Sequence, residues 1–110
     1  MTSTSDDATR HAAVTVVATM RAQAAKESQL KELLTSLIEP TRSDPGLITY
    51  ELYQDTDDPA QYCFLEVWDS AEAHSRHVGQ PHITAFTSRE DELVDDEGIL
   101  VHRLRLLDRC

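Results

Sequence analysis

Three glycines, two cysteines and two lysines in 110 residues leave several functions without the residues they require. So few glycines cannot build a phosphate-cradling loop, and the chain contains no GxGxxG, P-loop or GxSxG pattern. The lysines are Lys26 and Lys31 alone, the arginines are scattered, and the formal charge is −10. Counterion-release binding to phosphate backbones or anionic membranes needs basic clusters, so no nucleic-acid partner and no membrane partner is expected. No apolar run approaches the ~18–20 residues of a membrane span. Residues 1–7 are polar and acidic where a secretion signal is basic and then apolar. Cys63 and Cys110 give neither a disulfide framework nor a CxxC metal pair, which points to a reducing, cytoplasmic setting.

The composition fits one domain with a core of its own. Residues 1–12 have the Ser/Thr/Asp character of a disordered arm, and 13–107 form the folded unit. Val14 to Arg21 alternates, with Val14, Val16, Ala18 and Met20 on one face of a first strand. From Lys26 the period changes, and Leu30, Leu33, Leu34, Leu37 and Ile38 make one apolar helical stripe that Pro40 ends or kinks. After the Asp44-Pro45-Gly46 turn a second strand, 47–54, places Ile48, Tyr50 and Leu52 together. A third, 61–68, sets Tyr62, Phe64, Glu66 and Trp68 against Cys63, Leu65 and Val67. A short helix starts at Asp69 or Ser70, and Gly79-Gln80-Pro81 breaks it. A second helix carries Ile83, Phe86, Leu93 and Val94, and a last strand covers 99–107.

The order βαββααβ predicts an α+β, ferredoxin-like layer, with helices on one face of an antiparallel four-stranded sheet. Strand three is apolar on both faces. The bare sheet face therefore calls for a cover, and a homodimer burying sheet against sheet is the expectation.

His74, His77 and His82 cluster near the helix break, with Glu66 or Glu72 as neighbouring carboxylates. Surface histidines are common in acidic chains, and no metal site is expected. Trp68, Phe64 and Tyr62 instead suggest an apolar slot with Glu66 as the ionisable group inside it. A carboxyl group there has a raised pKa, and a nearby imidazole can share its proton, which is an acid/base arrangement. The equally open alternative makes the aromatics core and pairs Glu66 with Arg103 or Arg105.

The stretches VTVVATMRA, EPTRSDPGLITYELYQD, FLEVWDS, AEA with HSRH, and QPHI resemble the antibiotic biosynthesis monooxygenase family over about residues 13–107. The pattern is Glu-x-Trp-x-Ser, a His nine residues after the Trp, then Pro-His. The resemblance implies a dimeric α+β barrel with one pocket per subunit between sheet and helices. By position, Trp68 and His77 match the family's pocket Trp and His. Glu66 and His82 match its Glu-x-Trp and Pro-His elements. Haem-degrading relatives carry an Asn on strand one, where this chain has Ala18 or Thr19. Anthrone oxygenases carry an Asn near Phe64 and a Tyr near His74, and neither is kept.

The expected function is oxidation of a quinol or polyhydroxylated aromatic, polyketide-type compounds included, by O2 without a cofactor. His77 and Glu66 are the expected catalytic groups. Trp68, Phe64, Tyr50 and His82 are expected to bind the small aromatic substrate. Two other readings stay open: a non-oxidative isomerase of a small metabolite, and a non-catalytic dimer that binds a small aromatic ligand.

Overall fold

The computed structural model describes residues 13–110, so the expected arm at 1–12 lies outside the described residues. The elements run β1 (Val14–Arg21), α1 (Glu27–Ser36), α2 (Ile38–Thr41), β2 (Leu47–Gln54), β3 (Gln61–Trp68), α3 (Ala71–Val78), α4 (Pro81–Thr87), α5 (Glu90–Leu93) and β4 (Leu100–Leu104). The four strands form one antiparallel sheet in the order β2-β3-β1-β4, which is the ferredoxin-like α+β arrangement.

The helices are more broken than their periodicity predicts. Pro40 has no N–H to give the Ser36 carbonyl, so the chain interrupts its helix at Leu37 and resumes for one turn to Thr41. The second expected helix divides into α4 and α5 around Ser88-Arg89. Strand β4 stops at Leu104 rather than at residue 107.

Ile48 departs from its expected face. The β2–β3 register steps from Leu47 opposite Trp68 to Thr49 opposite Val67, which leaves Ile48 as the extra residue of a bulge. Leu47 therefore packs inward with Val16 and Trp68, while Ile48 is 44% exposed. Beyond the bulge Tyr50 and Leu52 return to the core side, as alternation requires.

The core lies between the sheet and the helices. Val16, Ala18 and Met20 from β1 and Tyr62, Phe64, Glu66 and Trp68 from β3 are all buried there. The α1 stripe closes over them with Leu30, Leu34 and Leu37. On the opposite sheet face Val17, Cys63 and Leu65 are half-buried, and the β4 leucines Leu100 and Leu104 are exposed.

Candidate functional site

Two local features set the site. Asp44-Pro45-Gly46-Leu47 is a tight turn closed by the Leu47 N–H on the Asp44 carbonyl, with Gly46 at φ +86°. Proline followed by a residue of positive φ is the pattern of a type II turn. Gly46 also lies flat against the start of α3. A Cβ there would stand 2.5 Å from the Ala73 Cβ and 2.7 Å from the Asp69 carboxylate. Only glycine lets this turn approach α3, and the approach brings Asp44 beside His77. The second feature is the cap of α3, where the Ser70 hydroxyl accepts from the Ala73 N–H. From this start His74 and His77 fall on the buried face of α3, one turn apart.

The resulting network is buried and hydrogen-bonded. His77 Nδ1 lies 2.7 Å from Asp44 Oδ2. A carboxylate only accepts, so Nδ1 carries the hydrogen and Nε2 keeps its lone pair. Nε2 is 3.9 Å from Glu66 Oε1, and His74 Nε2 is 4.0 Å from the same oxygen. Trp68 Nε1 donates to Glu66 Oε1 at 2.9 Å. Arg103 of β4 donates its Nε–H to His74 Nδ1 at 3.0 Å, which fixes His74 with its hydrogen on Nε2, the nitrogen nearer Glu66.

Burial raises the Glu66 carboxyl to about 7, only partly offset by the Trp68 bond. Burial lowers His74 to about 4, with the Arg103 charge and then His77 adding to the effect. Burial also lowers His77, while the Asp44 hydrogen bond and charge hold it up against that loss. The Tyr50 phenol is pushed well above its ordinary range, mainly by burial and then by the Glu66 charge. The site therefore keeps neutral imidazoles beside a carboxyl group that exchanges its proton near neutrality.

A cavity of about 120 Å³ opens beside this network. Its walls are Val16, Ala18 and Met20 of the sheet, Phe64 and Tyr50, and Leu37, Ile83 and Phe86 of the helices. Glu66, His74 and His77, with the Tyr50 phenol, are its ionisable groups, and Ile99, Val101, Val78 and Thr87 complete the lining. Val101 is 52% exposed and Val78 48%, so the cavity opens between β4 and the helices. Tyr50 stacks on Phe64 with centroids 4.9 Å apart and meets the His77 ring edge-on at 5.5 Å.

Of the expected site residues, Glu66, His77, Phe64 and Tyr50 line the cavity, and Trp68 and His82 do not. Trp68 is fully buried behind the wall, against the His77 ring at 4.6 Å, where it holds Glu66. Tyr62, expected in the same slot, belongs to the core beneath α1 and reaches toward the Glu27 carbonyl. His82 stands on the far side of Asp44, with Nε2 3.6 Å from Asp44 Oδ2 and 3.1 Å from Thr41 Oγ1. Arg103, a candidate partner of Glu66, bonds His74 and Ser75 instead. In the sequence Asp44 has only the character of a turn residue, and an acid just before Pro-Gly is the one signal of its place beside His77.

A buried acid/base cluster thus stands at one end of an apolar cavity on a ferredoxin-like α+β layer. The antibiotic biosynthesis monooxygenase family model matches residues 13–89, and the chain belongs to that family. Rv0793 of Mycobacterium tuberculosis, which bears a monooxygenase name, is 31% identical over 81 residues, 74% of this chain and 79% of that protein. Its solved structure superposes with a TM-score of 0.81 at 30% identity, covering 88% of this chain and 97% of that one. PA3566 of Pseudomonas aeruginosa superposes with a TM-score of 0.82 at 25% identity, over 90% and 98% of the two chains. The protein sll1783 of Synechocystis is 28% identical over 81 residues, 74% of this chain. The match spans only 55% of that cyanobacterial protein's length.

Proposed function

We propose that this protein is a cofactor-independent monooxygenase that oxidises a small hydroquinone-type aromatic with O2. The observation that carries the reading is the Asp44–His77 pair, which leaves an unprotonated Nε2 beside Glu66 at the polar end of an otherwise apolar cavity. The substrate supplies the electrons. His77 Nε2 takes a phenolic proton, and Asp44 stabilises the imidazolium that results. The electron-rich anion passes one electron to O2, and the radical pair closes a C–O bond to give a ring hydroperoxide. Loss of water, with Glu66 or the His77 imidazolium returning a proton to the departing oxygen, leaves a carbonyl. The balance is one hydroquinone and one O2 giving one hydroxyquinone and one water. The apolar walls exclude water from the anion and hold the ring flat.

Cavity size narrows the substrate. A dry cavity of about 150 Å³ accommodates benzene, so the roughly 120 Å³ here is of the order of one ring, with any further ring extending through the mouth between β4 and the helices. The apolar walls also disfavour a sugar-like isomerase substrate, which would leave its hydroxyls unpaired. The same reading places a second copy of the chain against the open sheet face, where Val17, Leu65, Leu100 and Leu104 present apolar surface.

The test is turnover under 18O2 with monocyclic and tricyclic hydroquinones in chelator-treated buffer. One labelled oxygen in the product of a monocyclic substrate supports the reading. Oxidation to the unlabelled quinone, or no turnover above autoxidation across the panel, contradicts it.

A further inference from the structure

His82, like Trp68, is an expected site residue that the cavity leaves out, and it stands against Asp44 instead. Asp44 Oδ2, His77 Nδ1 and His82 Nε2 lie within 4.8 Å of one another, the carboxylate oxygen being 2.7 Å and 3.6 Å from the two nitrogens. A tetrahedral ion with bonds of about 2.0–2.1 Å has ligand–ligand edges of about 3.3 Å, so both separations are within several tenths of an ångström of such an edge. Asp44 and His77 are buried, and the His82 side chain is 18% exposed, which gives an ion a way in. Thr41, fully buried, places its hydroxyl 3.1 Å from His82 Nε2, within reach of an ion or of a water on it. Two imidazoles and a carboxylate suit zinc and its divalent neighbours better than calcium or magnesium, which want oxygen.

We propose that Asp44, His77 and His82 form a site for a divalent transition-metal cation behind the cavity, and that its occupation switches His77 off. Of the three, only His77 lines the cavity, so the ion lies away from the substrate and acts through the imidazole. The ion takes the Nδ1 lone pair, so the ring's single hydrogen is exchanged through solvent from Nδ1 to Nε2, with no net proton released. The neutral ring then carries its hydrogen on Nε2 and presents a donor where the metal-free protein presents an acceptor. The trio differs from the set that sequence spacing offered. His74 is committed to Arg103 and the Glu66 side, and Asp44, 33 residues before His77, takes its place. The switching half of the proposal rests on His77 being the base; the site itself does not.

Calorimetric titration of the metal-free full chain with Zn2+ alone tests the site. One saturable site per chain is expected. His82→Gln should weaken it by at least the ~10–100-fold that loss of a mere outer-shell partner costs. His102→Gln, on the other sheet face, should leave it intact. No saturable binding at millimolar Zn2+, or equal affinity in His82→Gln, overturns the site. Long-range 1H–15N spectra read the switch without turnover: the His77 hydrogen should move from Nδ1 to Nε2 on loading. A hydrogen that stays on Nδ1 overturns it. If oxygen uptake is present, Zn2+ should suppress it in wild type at concentrations that spare His82→Gln, and equal suppression of both overturns the switch. Calorimetry and spectra give their answers even where the oxygenase reading fails.

Discussion

Asp44 Oδ2 lies 2.7 Å from His77 Nδ1, joining a turn before β2 to the last turn of α3 across 33 residues of sequence. This contact decides which nitrogen of His77 is basic, and the chemistry proposed for the cavity depends on it. Asp44→Asn removes the charge and keeps the shape. Because the carboxylate raises the His77 pKa against burial, its loss should lower that pKa further. The expected result is an NMR titration of His77 displaced to lower pH and a falling turnover. An unchanged His77 titration would show that Asp44 does not govern the imidazole.

Glu66 and His74 pull the pH dependence of stability in opposite directions. The folded Glu66 holds its proton up to about 7, against an ordinary 4.5, so the folded state binds the extra proton between those values. Its contribution is present below pH 4.5 and is lost as pH rises through 7. His74, lowered to about 4, does the reverse: its folded form refuses a proton the unfolded chain accepts, so stability rises from pH 4 to 6.5. Across the overlap the two contributions oppose one another, and the lowered His77 adds to the rise with pH. The wild-type minus Glu66→Gln difference isolates the carboxyl group and should fall by roughly 3 kcal/mol between pH 4.5 and 7. Denaturant titrations at several pH values check this, and a difference independent of pH would contradict it.

Gly46 allows the turn to approach α3. Gly46→Ala meets both a positive φ and the Ala73 and Asp69 side chains, so a loss of about 2–4 kcal/mol is expected. Because the same approach seats Asp44, the His77 titration should change with it. Urea unfolding and NMR measure the two effects, and a stable variant with a normal His77 would separate turn from site.

Ala18 faces Phe64 on β3 and Val101 on β4 and lines the cavity. Ala18→Leu should fill the space the ring needs. The expected outcome is a thermal midpoint at or above wild type and turnover lost through substrate binding, with the His77 titration unchanged. Steady-state kinetics and melting curves decide it. Undiminished turnover would move the substrate out of this cavity.

The strands, their order and their inward faces were legible because alternation survives in Val16, Ala18 and Met20 and in Tyr62, Phe64 and Glu66. Alternation cannot announce a bulge, and so Ile48 was assigned inward. Glu66 stood out as a polar residue among aromatics on a strand whose phase was clear, whereas His77 was legible through its place in the family pattern, nine residues after Trp68. Asp44 was not, because its role arises from a turn folding onto a distant helix, and no local period encodes that. Trp68 was placed on the correct face, but only packing shows that its ring lies behind the cavity wall. Alternation makes Arg103 a candidate partner for Glu66, and only the placement of β4 beside α3 gives it to His74 instead.

The central claim is that His77 Nε2 is the base of an oxygenation needing no added cofactor. Oxygen consumption with monocyclic hydroquinones in chelator-treated buffer, wild type beside His77→Ala and a protein-free blank, tests it most directly. The account predicts uptake above the blank that survives chelation and drops roughly 10²-fold or more in His77→Ala. Uptake in His77→Ala within a few-fold of wild type, or wild-type uptake equal to the blank, would contradict it.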